Sequence, residues 1–134
     1  MPVDQSLVGK AFPPTAPFTV TAEHVRAFAE SVGGTYDDGG PAPATYPIVL
    51  AFGAMNGFLE AEQVELHRIV HGEQKFAYEH AVVPGDVLTA RLTVASLRQI
   101  AGNDIIGTTS EVTDAAGALV CSTSATLVHR GSGA

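Results

Sequence analysis

From residue 48 to residue 59 the sequence reads IVLAFGAMNGFL, apolar everywhere except Asn56, and no other stretch restricts the fold so strongly. A helix that is apolar on all sides belongs in an interior, because only burial removes that surface from water. Pro47 stands where a first turn would begin, its fixed φ suiting a helix start, and Thr45 is the candidate N-cap. The run is too short to cross a bilayer, which takes roughly 20 apolar residues. Gly53, Asn56 and Gly57 leave little side chain on part of its surface, which predicts that something packs closely there. A single helix of this kind must be wrapped, so the rest of the chain is expected to be the wrapper.

The chain has enough material for that. At 134 residues, 46% hydrophobic and 16% charged, residues 1–134 are expected to form a single domain with a real core. Its net charge of −7, with only seven Lys and Arg, argues against nucleic acid and acidic membranes, both of which call for a basic face. A small ligand is the expectation. The lone Cys121 cannot form an internal disulfide and no charged-then-apolar leader opens the sequence, so a reducing cytoplasm is expected, with Cys121 a small core residue.

Residues 9–17 carry three prolines and read as an extended arm, followed by a short edge strand at residues 18–20. Thr21 caps a helix over residues 22–32, with Val25, Phe28, Ala29 and Val32 on its apolar stripe and Glu23 in its first turn. Gly33-Gly34 ends it, and residues 35–43 (TYDDGGPAP) form a polar loop into the central helix. Residues 64–70 stay open between a last helical turn and a strand. In residues 72–81, Gln74, Phe76, Tyr78 and His80 alternate with Glu73, Lys75, Ala77 and Glu79, the period of a strand. After a turn at residues 83–86, Leu88, Ala90, Leu92 and Val94 alternate with polar residues. Gly102-Asn103 turns the chain again, and strands follow at residues 105–113 and 119–129, where Leu119, Cys121, Thr123, Ala125 and Leu127 share a face.

The layout is therefore α+β: one long helix cradled by a curved antiparallel sheet, the hot-dog arrangement. Ile48, Leu50, Phe52, Met55, Phe58 and Leu59 are expected to be buried against Leu88, Ala90, Leu92, Val94, Leu119, Cys121, Ala125 and Leu127. The strand at 72–81 is expected at a sheet edge that pairs with a second unit to form a dimer. The tail at 131–134 is expected to be disordered.

Four pieces of the sequence, in order, resemble the MaoC-like dehydratases, and more narrowly the N-terminal, A-type half of their heterodimeric hydroxyacyl dehydratases. They are Ala42-Pro43-Ala44-Thr45-Tyr46-Pro47, then His71-Gly72-Glu73-Gln74 before Phe76, then Pro84-Gly85-Asp86, and the ending from Thr113-Asp114 to Gly117 with residues 126–130. The resemblance implies a lyase of fatty acid metabolism. Its activity would be (R)-specific enoyl-thioester hydration or 3-hydroxyacyl-thioester dehydration, on an acyl chain carried by coenzyme A or acyl carrier protein, without a cofactor or metal. That chemistry needs a base, a carboxylate that orients it, and N–H donors aimed at the thioester oxygen. Catalytic members carry an Asp and a His five residues apart around an Asn-Pro, in the loop before the central helix.

Here that loop holds Asp37 and Asp38 but neither a histidine nor Asn-Pro. The two aspartates are the candidate catalytic residues, set against a plain polar turn. Thr45, Tyr46, Gly53, Asn56 and Gly57 are the candidate substrate-binding residues, the first two through backbone N–H groups at the helix start. His24, His67, His71, His80 and His129 lie elsewhere and are expected to be structural; His67 and His71 would share a zinc only if the central helix ran on through them. Three readings follow. The foremost is a non-catalytic, acyl-chain-binding subunit, inactive alone, whose partner supplies the Asp and His. The second is a self-sufficient homodimeric enzyme, either a thioesterase using Asp37, Asp38 or Glu60 to activate water or a hydratase with a displaced base. The third is a thioester-binding protein without chemistry.

Overall fold

The computed structural model describes residues 5–37 and 39–130, so Asp38 and the 131–134 tail lie outside the described residues. Along the chain come a short strand β1 (Phe18–Thr19), helix α1 (Ala22–Ser31), helix α2 (Ile48–Ala61), and strands β2 (Ile69–Tyr78), β3 (Val87–Ile100), β4 (Asn103–Thr113) and β5 (Leu119–His129). The strands form one antiparallel sheet in the order β1-β3-β4-β5-β2. Helix α2 lies across the inner face of β3 and β4. This is the hot-dog fold expected from the alternation of the strands.

Local signals set most of the elements. Thr21 caps α1, its hydroxyl accepting from the His24 N–H at 3.1 Å. The proline-rich arm hydrogen-bonds to β3 without becoming a regular strand: Gly9 N–H donates to the Val94 carbonyl, Phe12 N–H to Leu92, and Thr15 N–H to Ala90. Phe12 is thereby set edge-on against Phe58, ring centroids 5.1 Å apart, and closes the core over α2. The tight turn between β3 and β4 is Ala101-Gly102, both at positive φ, one residue earlier than expected.

Several expectations need correction. Strand β2 pairs with β5, not with β3, so the segment after it is a crossover rather than a hairpin. A strand's period fixes its faces but not its neighbours. A register shift between Val112 and Thr113 buries Val120 completely and leaves Leu119 half exposed. Residues 66–68 form a 3-10 turn, which puts His67 and His71 on different elements and removes their helical zinc geometry. On α1, Val32 is 62% exposed rather than part of the buried stripe.

The larger correction concerns α2 itself. Leu50, Ala51, Ala54, Met55, Phe58 and Leu59 are buried, but Phe52 is 44% exposed and Gly53, Gly57 and Glu60 are also on the outside, with Ile48 half-buried. The helix packs by one face, and its other apolar face is open. Among the described residues, nothing approaches Gly57, and a Cβ at Gly53 would meet only the Thr15 methyl at an ordinary 3.9 Å. The close packing expected at these glycines is therefore not made among the described residues. Replacing Phe58 with Ala should cost about 3–5 kcal/mol in chemical denaturation, the usual figure for emptying a core aromatic site. Phe52→Ala, at a site expected to be buried but 44% exposed, should cost under about 1 kcal/mol, as a surface substitution does.

Candidate functional site

The helix start is where the resemblance places thioester recognition. Thr45 is exposed and does not cap α2; the N-cap is Pro47, with no side-chain cap bond. The preceding residues instead form a tight turn. Its carbonyls accept the first helical donors, Ile48 N–H to Thr45, Val49 N–H to Tyr46, and Leu50 and Ala51 N–H to Pro47. Tyr46 N–H donates to the Pro43 carbonyl at 2.9 Å, so the donor expected to face a thioester oxygen is already engaged.

The Tyr46 side chain is sealed as well. It is fully buried, shares a 2.6 Å hydrogen bond with His24 Nδ1, and meets the rings of His24 and Phe28 edge-on. Its role is to clamp α1 to the entry of α2. Burial pushes its phenol from 10.0 up to about 12, and the same cause raises Tyr78 to about 12, although Tyr78 is 38% exposed. The Tyr78 hydroxyl donates to the Ala44 carbonyl and ties the same turn to β2.

Asp37 stands exposed on the loop, its carbonyl accepting from Gly40 N–H, while the Tyr36 hydroxyl donates to the Gly40 carbonyl at 2.7 Å. Its side chain borders an open pocket of about 430 Å³ between this loop and the end of α1. None of the five histidines borders that pocket. A second, apolar pocket of about 370 Å³ runs beside α2, where Gly53 lies between Val49, Leu50 and the arm residues Thr15 and Ala16. Of the expected binding residues, Gly53 alone lines a hollow beside the helix; Asn56 is half-buried and Gly57 points outward one turn on.

Sequence reasoning passed over a third feature. Between α2 and the strands β4, β5 and β2 lies a narrow cleft of about 10 Å³, walled on the helix side by Ile48, Ala51, Phe52 and Met55. Its sheet side is mixed, with Thr108 and Ser110 from β4, Thr123 and Ala125 from β5, Gln74 and His71 from β2, and Leu92 from β3. His71 Nε2 and Gln74 Oε1 are hydrogen-bonded at 2.9 Å at its rim. The signal was in the alternation, since Thr123 sits in a run of core-facing residues. The cleft and the loop pocket share no lining residue, so Asp37 and His71 do not face a common space.

The remaining histidines have local partners or none at a site. His129 pairs with Asp104 at 3.2 Å, both about 5% exposed, and Gln99 donates to the other Asp104 oxygen at 2.9 Å. This is a buried anchor of the sheet. His67 pairs with Glu65 on the surface. Among the described residues, no group of three or more His, Cys, Asp or Glu is placed to hold a metal ion. Cys121 is buried, and burial pushes its thiol up, which suits a core residue.

The Tyr46 shift predicts alkaline lability with a definite sign. Its folded pKa is raised, so its contribution to stability is full below pH 10 and is lost as pH climbs toward 12, where the unfolded phenol ionises and the folded one does not. The unfolding free energy should fall over that window by up to about 1.4 kcal/mol per pH unit from this group, read from denaturant curves at each pH. Tyr46→Phe should make that fall shallower, while lowering stability at neutral pH through loss of the bond to His24.

A family model described as FAS1-like, dehydratase domain region matches residues 6–123. A UPF0336 protein of Streptomyces coelicolor is 41% identical over 145 residues, covering 97% of each chain. Among solved structures, a chain of the C-terminally truncated HadBC (3R-hydroxyacyl-ACP dehydratase) complex from Mycobacterium tuberculosis is 27% identical with a TM-score of 0.83, covering 96% of this chain and 99% of that one. A MaoC-like dehydratase is 25% identical with a TM-score of 0.77, over 96% of this chain but 44% of the other. The chain belongs to the FAS1-like dehydratase domain family, a UPF0336 protein of MaoC-like hot-dog fold.

Proposed function

We propose that this chain is the acyl-chain-binding, non-catalytic subunit of a two-subunit (R)-specific enoyl-thioester hydratase or 3-hydroxyacyl-thioester dehydratase, working on coenzyme A or carrier-protein thioesters. The observation that carries this reading is an incomplete site. The loop before α2 offers Asp37 with no histidine at its pocket, while the apolar face of α2 around Phe52, Gly53 and Gly57 is open. Strand β2 is the free edge of the sheet, with Val70 and Tyr78 exposed on it. An apolar helix face beside a strand with one open edge suits a second hot-dog unit, which would extend the sheet and close the acyl tunnel.

The comparisons support one unit of a pair. This chain spans nearly the whole of one HadBC chain and about half of a longer MaoC-like dehydratase. In dehydration a base removes the α-proton, the 3-hydroxyl leaves as water, and the carbon–carbon double bond forms; hydration is the reverse. The partner's Asp and His would move the protons. This chain would supply tunnel wall from α2 and the inner face of the sheet, with no cofactor. No described helix is long and apolar enough to cross a membrane.

General acid–base catalysis is worth about 10²–10⁴-fold, so the purified chain should not measurably hydrate trans-2-enoyl thioesters of several lengths. Co-expression with a hot-dog partner carrying the Asp, Asn-Pro and His should restore turnover, and Asp37→Asn in that complex should change little. Robust turnover by the isolated chain, abolished by Asp37→Asn, would favour a self-sufficient enzyme instead. A second outcome tests the open helix face. Gly57→Leu should leave or raise the thermal midpoint, because Gly costs a helix interior about 1 kcal/mol. The same change should impair complex formation in sedimentation.

A further inference from the structure

The inner face of a sheet that cradles an apolar helix should itself be apolar. Here three adjoining inner positions, Thr108, Ser110 and Thr123, carry hydroxyls, all at 5% exposure or less. Each hydroxyl forgoes the burial a Val or Ala would give, and a buried hydroxyl without a partner is costly. Two of the three are satisfied within the sheet: Thr123 Oγ1 donates to the Ser110 carbonyl at 3.3 Å and Thr108 Oγ1 to the Ala125 carbonyl at 3.5 Å. Among the described residues, no hydrogen bond reaches the Ser110 hydroxyl. No buried side-chain oxygen among them is sealed off without a partner, so the Ser110 hydroxyl opens into the cleft that its residue lines.

The size of the space narrows what can answer it. A volume of about 10 Å³ takes one water-sized group and no length of alkyl chain. Phe52 and Met55 form the apolar wall opposite. We propose that this cleft is a recognition site for an oxygen-bearing acyl group, with Ser110 making the hydrogen bond that distinguishes a hydroxyacyl chain from a plain one. This rests on the chain being an acyl-binding subunit, and it adds a specificity-determining residue on the half that brings no acid–base pair. Ser110 is a binding residue in this scheme and moves no proton.

The test is calorimetric titration of the purified full chain with (R)-3-hydroxyhexanoyl-CoA and with hexanoyl-CoA, equal in chain length and differing by one hydroxyl. The wild-type chain should bind the hydroxylated thioester about tenfold more tightly, the value of one well-made hydrogen bond. Ser110→Ala should remove that preference by weakening the hydroxyacyl thioester alone. Equal wild-type affinities would overturn the Ser110 assignment and leave the acyl-binding reading standing. So would an Ala variant that loses both thioesters equally, since that is a structural effect. Failure of the wild-type chain to bind either thioester would overturn both. The wild-type comparison holds whether or not the variant folds.

Discussion

Helix α2 carries more apolar surface than its own sheet can cover, and the rest of the architecture is arranged around that surplus. The buried face, centred on Leu50, Ala54, Phe58 and Leu59, packs over β3 and β4, and Phe12 from the arm closes it from the side. The opposite face, with Phe52 and the two glycines, is left against solvent beside the inner surface of β5 and β2. At roughly 25 cal/mol per Å², a second apolar surface laid there would gain several kcal/mol, whereas exposure of Phe52 gains nothing. The same geometry that leaves the helix uncovered leaves the outer edge of β2 open, so one partner could satisfy both.

The entry to α2 is held by hydrogen bonds and rings rather than by a side-chain cap. Tyr46 joins α1 through His24 and Phe28, Tyr78 joins β2, and Ala42 N–H reaches the Val82 carbonyl at 2.7 Å. These ties hold the end of the loop, residues 42–46, where it enters α2.

Much of this was legible in the sequence, for identifiable reasons. The α1 cap at Thr21, the alternation of Leu88 to Val94 and the edge character of β2 are local signals, and all three stand in the structure. What failed was what one-dimensional periodicity does not encode. An all-round apolar helix gives no phase, so Phe52 could not be told from Phe58. A strand's period does not name its neighbour, so β2 beside β5 was missed, and a bulge at Val120 moved the burial pattern by one residue. The buried Asp104 and His129 are 25 residues apart in sequence and only the register of β4 on β5 brings them together.

The candidate site was less legible than the fold because attention went to the loop, where the family's acid–base residues would stand. A loop that lacks the histidine of that pair is informative only as an absence. The positive signal lay where a pattern was broken in the core: hydroxyls at Thr108, Ser110 and Thr123 amid Ile106, Val112 and Leu127. Sequences that specify one fold keep their levels consistent, and departures that carry a cost concentrate where function demands them. Thr is not a volume-conserving stand-in for Val inside a core, because its hydroxyl must be bonded. The sheet bonds two of the three itself, so they cost the fold little. Only the Ser110 hydroxyl, 4% exposed and turned to the cleft, has no partner within the described residues, and packing alone gives no reason for a serine there.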